Sequence, residues 1–190
     1  MIEIRPATAA DCADLAILDD IAGHGLTSEA WARAAAAGQG ASALEVGRES
    51  YLGEATPCNW RNARVAMSDD RAAGMSVGYY LPETTNFTGP FDPVFEPVIS
   101  LFKKAVGGWL LDALAVYSVF RGKGIARTLL DDQMALAGDR PFHIVCADDN
   151  APALGLYRSR GFDVVERADF VQTETPRDTK EWLLLKRPGS

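Results

Sequence analysis

Arg121-Gly122-Lys123-Gly124 sets two cations and two glycines immediately before an apolar, helix-forming run. Glycine costs conformational entropy there unless something must come close to the backbone. A helix N-terminus offers unpaired N–H groups and a partial positive charge, so the visitor indicated is a phosphate. Two familiar phosphate loops fail. No Gly-Lys pair is followed by Ser or Thr, as a P-loop requires, and Arg127 stands where a dinucleotide loop needs its third glycine. A second group of interest is Asp112, inside the apolar run WLLDALAV. Burial there raises a carboxyl pKa unless the group is paired, which fits a general base and a structural Asp equally. Asp148 and Asp149 end the next apolar run, where capping the following helix accounts for at least one of them. His24 reads as a solvated loop residue and Cys146 as inert strand filler.

The elements that must position these groups follow from periodicity. IEIRPAT alternates and reads as a first strand ending at Pro6. Thr8 and Asp11 have capping-box spacing and open a helix through Leu15, Leu18 and Ile21. A second helix is expected from Ser28 to Ala37, and a helical piece from Leu44 to Tyr51. Residues 63–81 read as a hairpin turning at Asp69-Asp70. Residues 82–108 hold Pro82, Pro90, Pro93 and Pro97; only PVISLFKKA looks helical, and so long a loop is expected to be functional or mobile. WLLDALAV is a central strand, followed by a helix from Gly122 to Ala137 that buries Ile125, Leu129, Leu130, Met134 and Ala137. FHIVCA, a short helix capped by Asp149 or Asn150, and two closing strands, FDVVERADF and EWLLLK, complete the chain. The 109–147 strand–helix–strand is expected to be a right-handed parallel crossover.

Composition sets the outer bounds. The 190 residues suit a single domain over 1–190, and 47% apolar content argues against disorder. A net charge of −7 argues against nucleic acid as partner. Three dispersed cysteines without CxxC spacing support neither a disulfide framework nor a zinc site, so no metal is expected. The charged N-terminal stretch lacks the apolar run of a signal peptide, and no run reaches membrane-span length. A cytoplasmic protein without a membrane partner, monomeric or homodimeric, is expected.

Arg121, Gly124 and Ala126, following a strand that ends in Leu-Ala-Val, resemble the [RQ]-x-x-G-x-[GA] motif of the GNAT superfamily of N-acetyltransferases. Asn150, Ala153, Tyr157, Gly161 and Phe162 resemble its second motif. The resemblance is strong over 109–165. It implies an α/β (α+β) fold with a mixed, twisted sheet of about seven strands, splayed central parallel strands and flanking helices. It implies acetyl-CoA as cosubstrate. Arg121, Gly122, Lys123, Gly124, Ile125 and Ala126 would meet the pyrophosphate; the backbone of Leu114, Ala115 and Val116 would meet the pantetheine arm; Asn150 and Tyr157 would also contact the cofactor. Tyr157 is implied as the acid that protonates the leaving thiolate, the Leu114 N–H as oxyanion donor, and Asp112 as a base. The 82–108 segment is implied as an acceptor-side insert.

The function implied is acetyl transfer to a primary amine of a small molecule or peptide by direct attack in a ternary complex. The rival reading is a non-catalytic domain of the same fold that holds acyl-CoA as a sensor or scaffold.

Overall fold

The computed structural model describes residues 2–89 and 91–189; Pro90, one of the four prolines singled out above, lies outside them. Seven strands form one sheet: β1 (Ile2–Pro6), β2 (Ala63–Ser68), β3 (Arg71–Leu81), β4 (Gly108–Val116), β5 (Phe142–Ala147), β6 (Asp163–Asp169) and β7 (Glu181–Arg187). Their order is β1-β2-β3-β4-β5-β7-β6. Among the described residues six α-helices accompany them: α1 (Cys12–Ala22), α2 (Leu26–Ala36), α3 (Ala43–Leu52), α4 (Glu96–Phe102), α5 (Ile125–Ala137) and α6 (Ala151–Arg158). None of the described helices is long and apolar enough to cross a membrane.

The chain divides into two compact units. The first comprises Met1–Tyr79 and Asp112–Leu136, the second Tyr80–Leu111 and Ala137–Ser190, so the division falls within β3 and β4.

In the first unit, β1 and β2 pair antiparallel from Ile2↔Ser68 to Pro6↔Arg64. The β2–β3 hairpin turns at Asp69, whose φ is +54°. Its register shifts between Ala66 and Met67. The capping box at Thr8 forms as the spacing indicates: Asp11 Oδ2 accepts from the Thr8 N–H at 2.7 Å and from its hydroxyl at 2.8 Å. Arg5 grips the same carboxylate through two nitrogens, at 2.7 and 2.9 Å. The chain passes first through a 3-10 turn, Ala9–Asp11, before α1. His24 and Gly25 both adopt positive φ, which reverses the chain sharply enough for α2 to begin at Leu26, two residues before the expected start. Gly47 on α3 lets Trp31 of α2 lie flat on it; a Cβ at Gly47 would sit 2.6 Å from the indole.

In the second unit, β4 and β5 run parallel, with register from Trp109↔Phe142 to Leu111↔Ile144. β7 lies between β5 and β6, antiparallel to both. Helix α4 begins at Glu96, one residue before the expected PVISLFKKA stretch, and ends at Phe102, after a 3-10 turn at Pro93–Phe95. Phe142 and Phe162 meet edge to face with centroids 5.3 Å apart, and Phe162 also packs on Tyr157 at 6.1 Å.

Candidate active site

The phosphate-loop candidate lies wholly in the first unit. Beyond β4 the chain is tied down by the Tyr117 N–H, which donates to the Ala73 carbonyl at 3.0 Å. A 3-10 turn, Ser118–Phe120, then sends Phe120 inward. Phe120 packs in a buried cluster with Ala66, Ala73, Val116, Ile125 and Leu129, and Leu114, Tyr117 and Ala126 lie against it. This anchors both ends of the loop on the core. Gly122 and Gly124 have φ of +76° and +79°, the left-handed region that side chains disfavour, and a Cβ at either would meet nothing within 4 Å. Open space beside two left-handed glycines is room that packing alone does not require.

Helix α5 therefore starts at Ile125, three residues after the Gly122 start expected from sequence, because the two glycines are locked out of helical φ. Gly124 supplies the first carbonyl, accepting from the Thr128 N–H at 3.1 Å. The N–H groups of the first helical turn have no carbonyl to reach within the helix, and a helix start of this kind favours negative charge. Arg121 donates through Nε to the Val116 carbonyl at 3.2 Å, which roots its guanidinium at the end of β4. Lys123 Nζ lies 5.2 Å from the Phe120 ring centroid, and Arg71 Cζ lies 5.1 Å from the same centroid.

A second constellation of the first unit surrounds Asp112. The Tyr79 hydroxyl donates to Asp112 Oδ2 at 2.8 Å. The Cys58 thiol also acts on Asp112 as a donor, and both contacts favour the carboxylate. Burial works the other way and dominates, so the Asp112 pKa is raised. The carboxyl keeps some solvent contact, but the groups packed around it strip most of its hydration. Tyr51 Oη sits 3.4 Å from Cys58 Sγ and also acts on Asp19 as a donor. Asp19 is pushed up to about 8, first by burial and then by the neighbouring negative charge of Asp112. Five side chains from separate segments thus form one polar run: Asp19, Tyr51, Cys58, Asp112 and Tyr79. Of the two carboxyls, Asp112 has the better claim to the first negative charge, since two donors address it. Burial raises the Cys58 thiol and both phenols well above their ordinary values, so all three remain donors at neutral pH.

In the second unit, Asn150 caps α6: its Oδ1 accepts from the Ala153 N–H at 3.2 Å. Asp149 accepts from the Thr179 hydroxyl and Asp148 from the Lys180 N–H, each at 3.0 Å, so the cap of α6 is Asn150, while the two aspartates hold the Thr179 side chain and the Lys180 backbone. Tyr157 is buried on α6, and desolvation, followed by Cys146, raises its phenol pKa. The Cys146 thiol is itself pushed up to about 12 by burial and then by Asp149 and Asp148, which suits filler rather than a nucleophile.

The sequence-level candidates fall in two sets. Asp112, Leu114, Ala115, Val116, Arg121, Gly122, Lys123, Gly124, Ile125 and Ala126 belong to the first unit, and Asn150 and Tyr157 to the second. Asp19, Tyr51, Cys58, Tyr79 and Arg71 were missed. All but the Tyr51–Cys58 pair, seven residues apart, lie far along the chain from their partners, and no local spacing marks them. The one available signal was chemical: Asp112 and Tyr79 each stand in a largely apolar run.

Residues 48–162 match the acetyltransferase (GNAT) family. No curated protein matches the chain. Among solved structures, an N-acetyltransferase from Staphylococcus aureus Mu50 is similar at 15% identity, with a TM-score of 0.66 and coverage of 97% of this chain and 100% of that one. A ribosomal-protein-alanine N-acetyltransferase from Brucella melitensis is similar at 23% identity and a TM-score of 0.61, covering 98% and 99%. The ribosomal-protein-S18-alanine N-acetyltransferase from Escherichia coli is similar at 15% identity and a TM-score of 0.60, covering 100% and 95%. At these identities the structures speak for the fold, a mixed seven-stranded sheet with flanking helices. Since the family match spans more than half of the sequence, the chain belongs to the GNAT acetyltransferase family.

Proposed function

We propose that this acetyltransferase moves an acetyl group from acetyl-CoA to a primary amine, on a small molecule or a peptide, by direct attack within a ternary complex. The observation that carries the reading is the loop at 121–126: two left-handed glycines beside open space, two cations and the start of a 13-residue helix. These residues fit a pyrophosphate, because backbone N–H groups can approach it and the charges oppose it. The backbone of Leu114, Ala115 and Val116, which ends on the same loop, is assigned to the pantetheine arm, and the Leu114 N–H to the thioester oxygen. Asn150 is assigned to the cofactor on the family's pattern, as is Tyr157.

Acetyl-CoA supplies the activated acyl carbon and a thiol leaving group. The chain must supply a proton acceptor for the amine and a donor for the thiolate. We assign acceptance to Asp112. Its carboxylate is held by Tyr79 and Cys58, and its raised pKa brings it closer to that of an ammonium than an ordinary aspartate. Asp19, raised to about 8, carries its proton beside it at neutral pH and so leaves the negative charge to Asp112. Tyr157 is the assigned donor. Residues 82–108 are assigned to the acceptor side.

The test is CoA release from acetyl-CoA in the presence of a panel of primary amines and N-terminal peptides. Amine-dependent release is expected. Tight CoA binding with no release on any amine would instead support the sensor reading, which the family's fold also accommodates.

A further inference from the structure

We propose that Arg71, held on the face of Phe120, recognises the 3′-phosphate of coenzyme A and makes this protein select coenzyme A over dephospho-CoA. The inference rests on reading the 121–126 loop as the pyrophosphate site and adds to it a second anion contact from a different part of the chain.

Arg71 opens β3, opposite Ser68 in the hairpin. It is exposed, and its guanidinium lies 5.1 Å from the Phe120 centroid. Phe120 cannot drift, because it is 8% exposed and locked in the cluster with Val116, Ile125 and Leu129. Lys123, from the loop itself, lies 5.2 Å from the same centroid. One ring therefore carries two cations that are about fifty positions apart in sequence. Ring quadrupole attraction holds each cation at Phe120, and Asp69 and Asp70, which precede Arg71 in the turn, offset part of its charge.

Coenzyme A has two separate anionic groups, the pyrophosphate and the ribose 3′-phosphate. The glycines, Arg121 and Lys123 answer the first. Arg71 belongs to the β2–β3 hairpin and not to the loop, so it is the cation left for a second phosphate. A guanidinium matches phosphate oxygens through two parallel N–H bonds, and a phosphomonoester carries close to two charges near neutral pH. Phe120 acts as a positioning residue that fixes the fork.

Calorimetric titration of CoA and of dephospho-CoA into wild type, Arg71→Ala and Arg71→Lys tests this, with melting temperatures showing that each variant is folded. Wild type should bind CoA about tenfold more tightly than dephospho-CoA, the scale of one charge-assisted contact. Arg71→Ala should erase that difference by weakening CoA alone, and Arg71→Lys should restore part of it. Equal wild-type affinity for the two ligands would overturn the inference and leave the loop reading standing. So would a loss in Arg71→Ala that is shared equally by both ligands. Wild type that binds neither would overturn the loop reading itself.

Discussion

Tyr157 shows how one side chain can be read at the level of a single atom. Burial raises its phenol pKa, so the proton stays on oxygen throughout the neutral range. On the proposed reading, that proton passes to the departing thiolate. Its ring packs on Phe162, a contact that Tyr157→Phe preserves. The expected outcome is a single-turnover rate lower by about 10²-fold to 10⁴-fold, with acetyl-CoA affinity and melting temperature close to wild type. Turnover at the wild-type rate would remove the phenol from the mechanism. At this scale the sequence told the loop well, because Arg121, Gly122, Lys123 and Gly124 are contiguous and their chemistry is local. It told the surroundings of Asp112 poorly. Tyr79 is 33 positions away, and only the folded sheet brings its hydroxyl to the carboxylate.

Elements repeat the same division between local and distant information. The β2–β3 hairpin and the capping box were legible because a turn or a cap is decided within a few residues. The place of β7 between β5 and β6 was not, since antiparallel insertion depends on pairings that no short window contains. The start of α5 was misplaced for a different reason: glycine permits helical φ but does not demand it, and here both glycines adopt positive φ. The capping box at Thr8, on the 3-10 turn that leads into α1, can be tested by substitution. Asp11 binds Arg5 and both donors of Thr8, and the Arg5 guanidinium, more than any other contact, lowers its pKa to about 2. Asp11→Asn keeps the size but weakens the ion pair and the cap together. A loss of about 1–2 kcal/mol is expected in urea unfolding. Unchanged stability would mean that β1 and α1 are held by packing alone.

For the molecule as a whole, two carboxyls pull the pH profile of stability in opposite directions. Asp11 has a folded pKa of about 2, below the ordinary 3.8, so its contribution is present above about pH 4 and is lost as pH falls toward 2. Asp19 has a folded pKa of about 8, above the ordinary 3.8, so its contribution is full below about pH 4 and is lost as pH rises through 8. Asp112 is raised and has the same sign. The melting temperature of wild type should therefore decline from pH 5 to pH 9. Asp19→Asn should flatten that decline and be the more stable protein at pH 9, with little or no advantage at pH 5. Parallel profiles for the two proteins would show that Asp19 ionises as an ordinary surface carboxyl.

The positive φ of Gly124 carries one more consequence, which concerns handedness. An achiral residue at a left-handed position serves two needs at once: it reaches the conformation, and it bares the backbone. A mirror-image residue separates them, because D-alanine favours the backbone angles that L-alanine resists. In a semisynthetic protein, D-alanine at 124 would satisfy the turn while adding a methyl group to the surface where an anion would rest. If such a protein folds as well as the natural chain and still holds CoA, the glycine is there for its shape. If it folds but no longer holds CoA, the glycine is there for what it leaves uncovered.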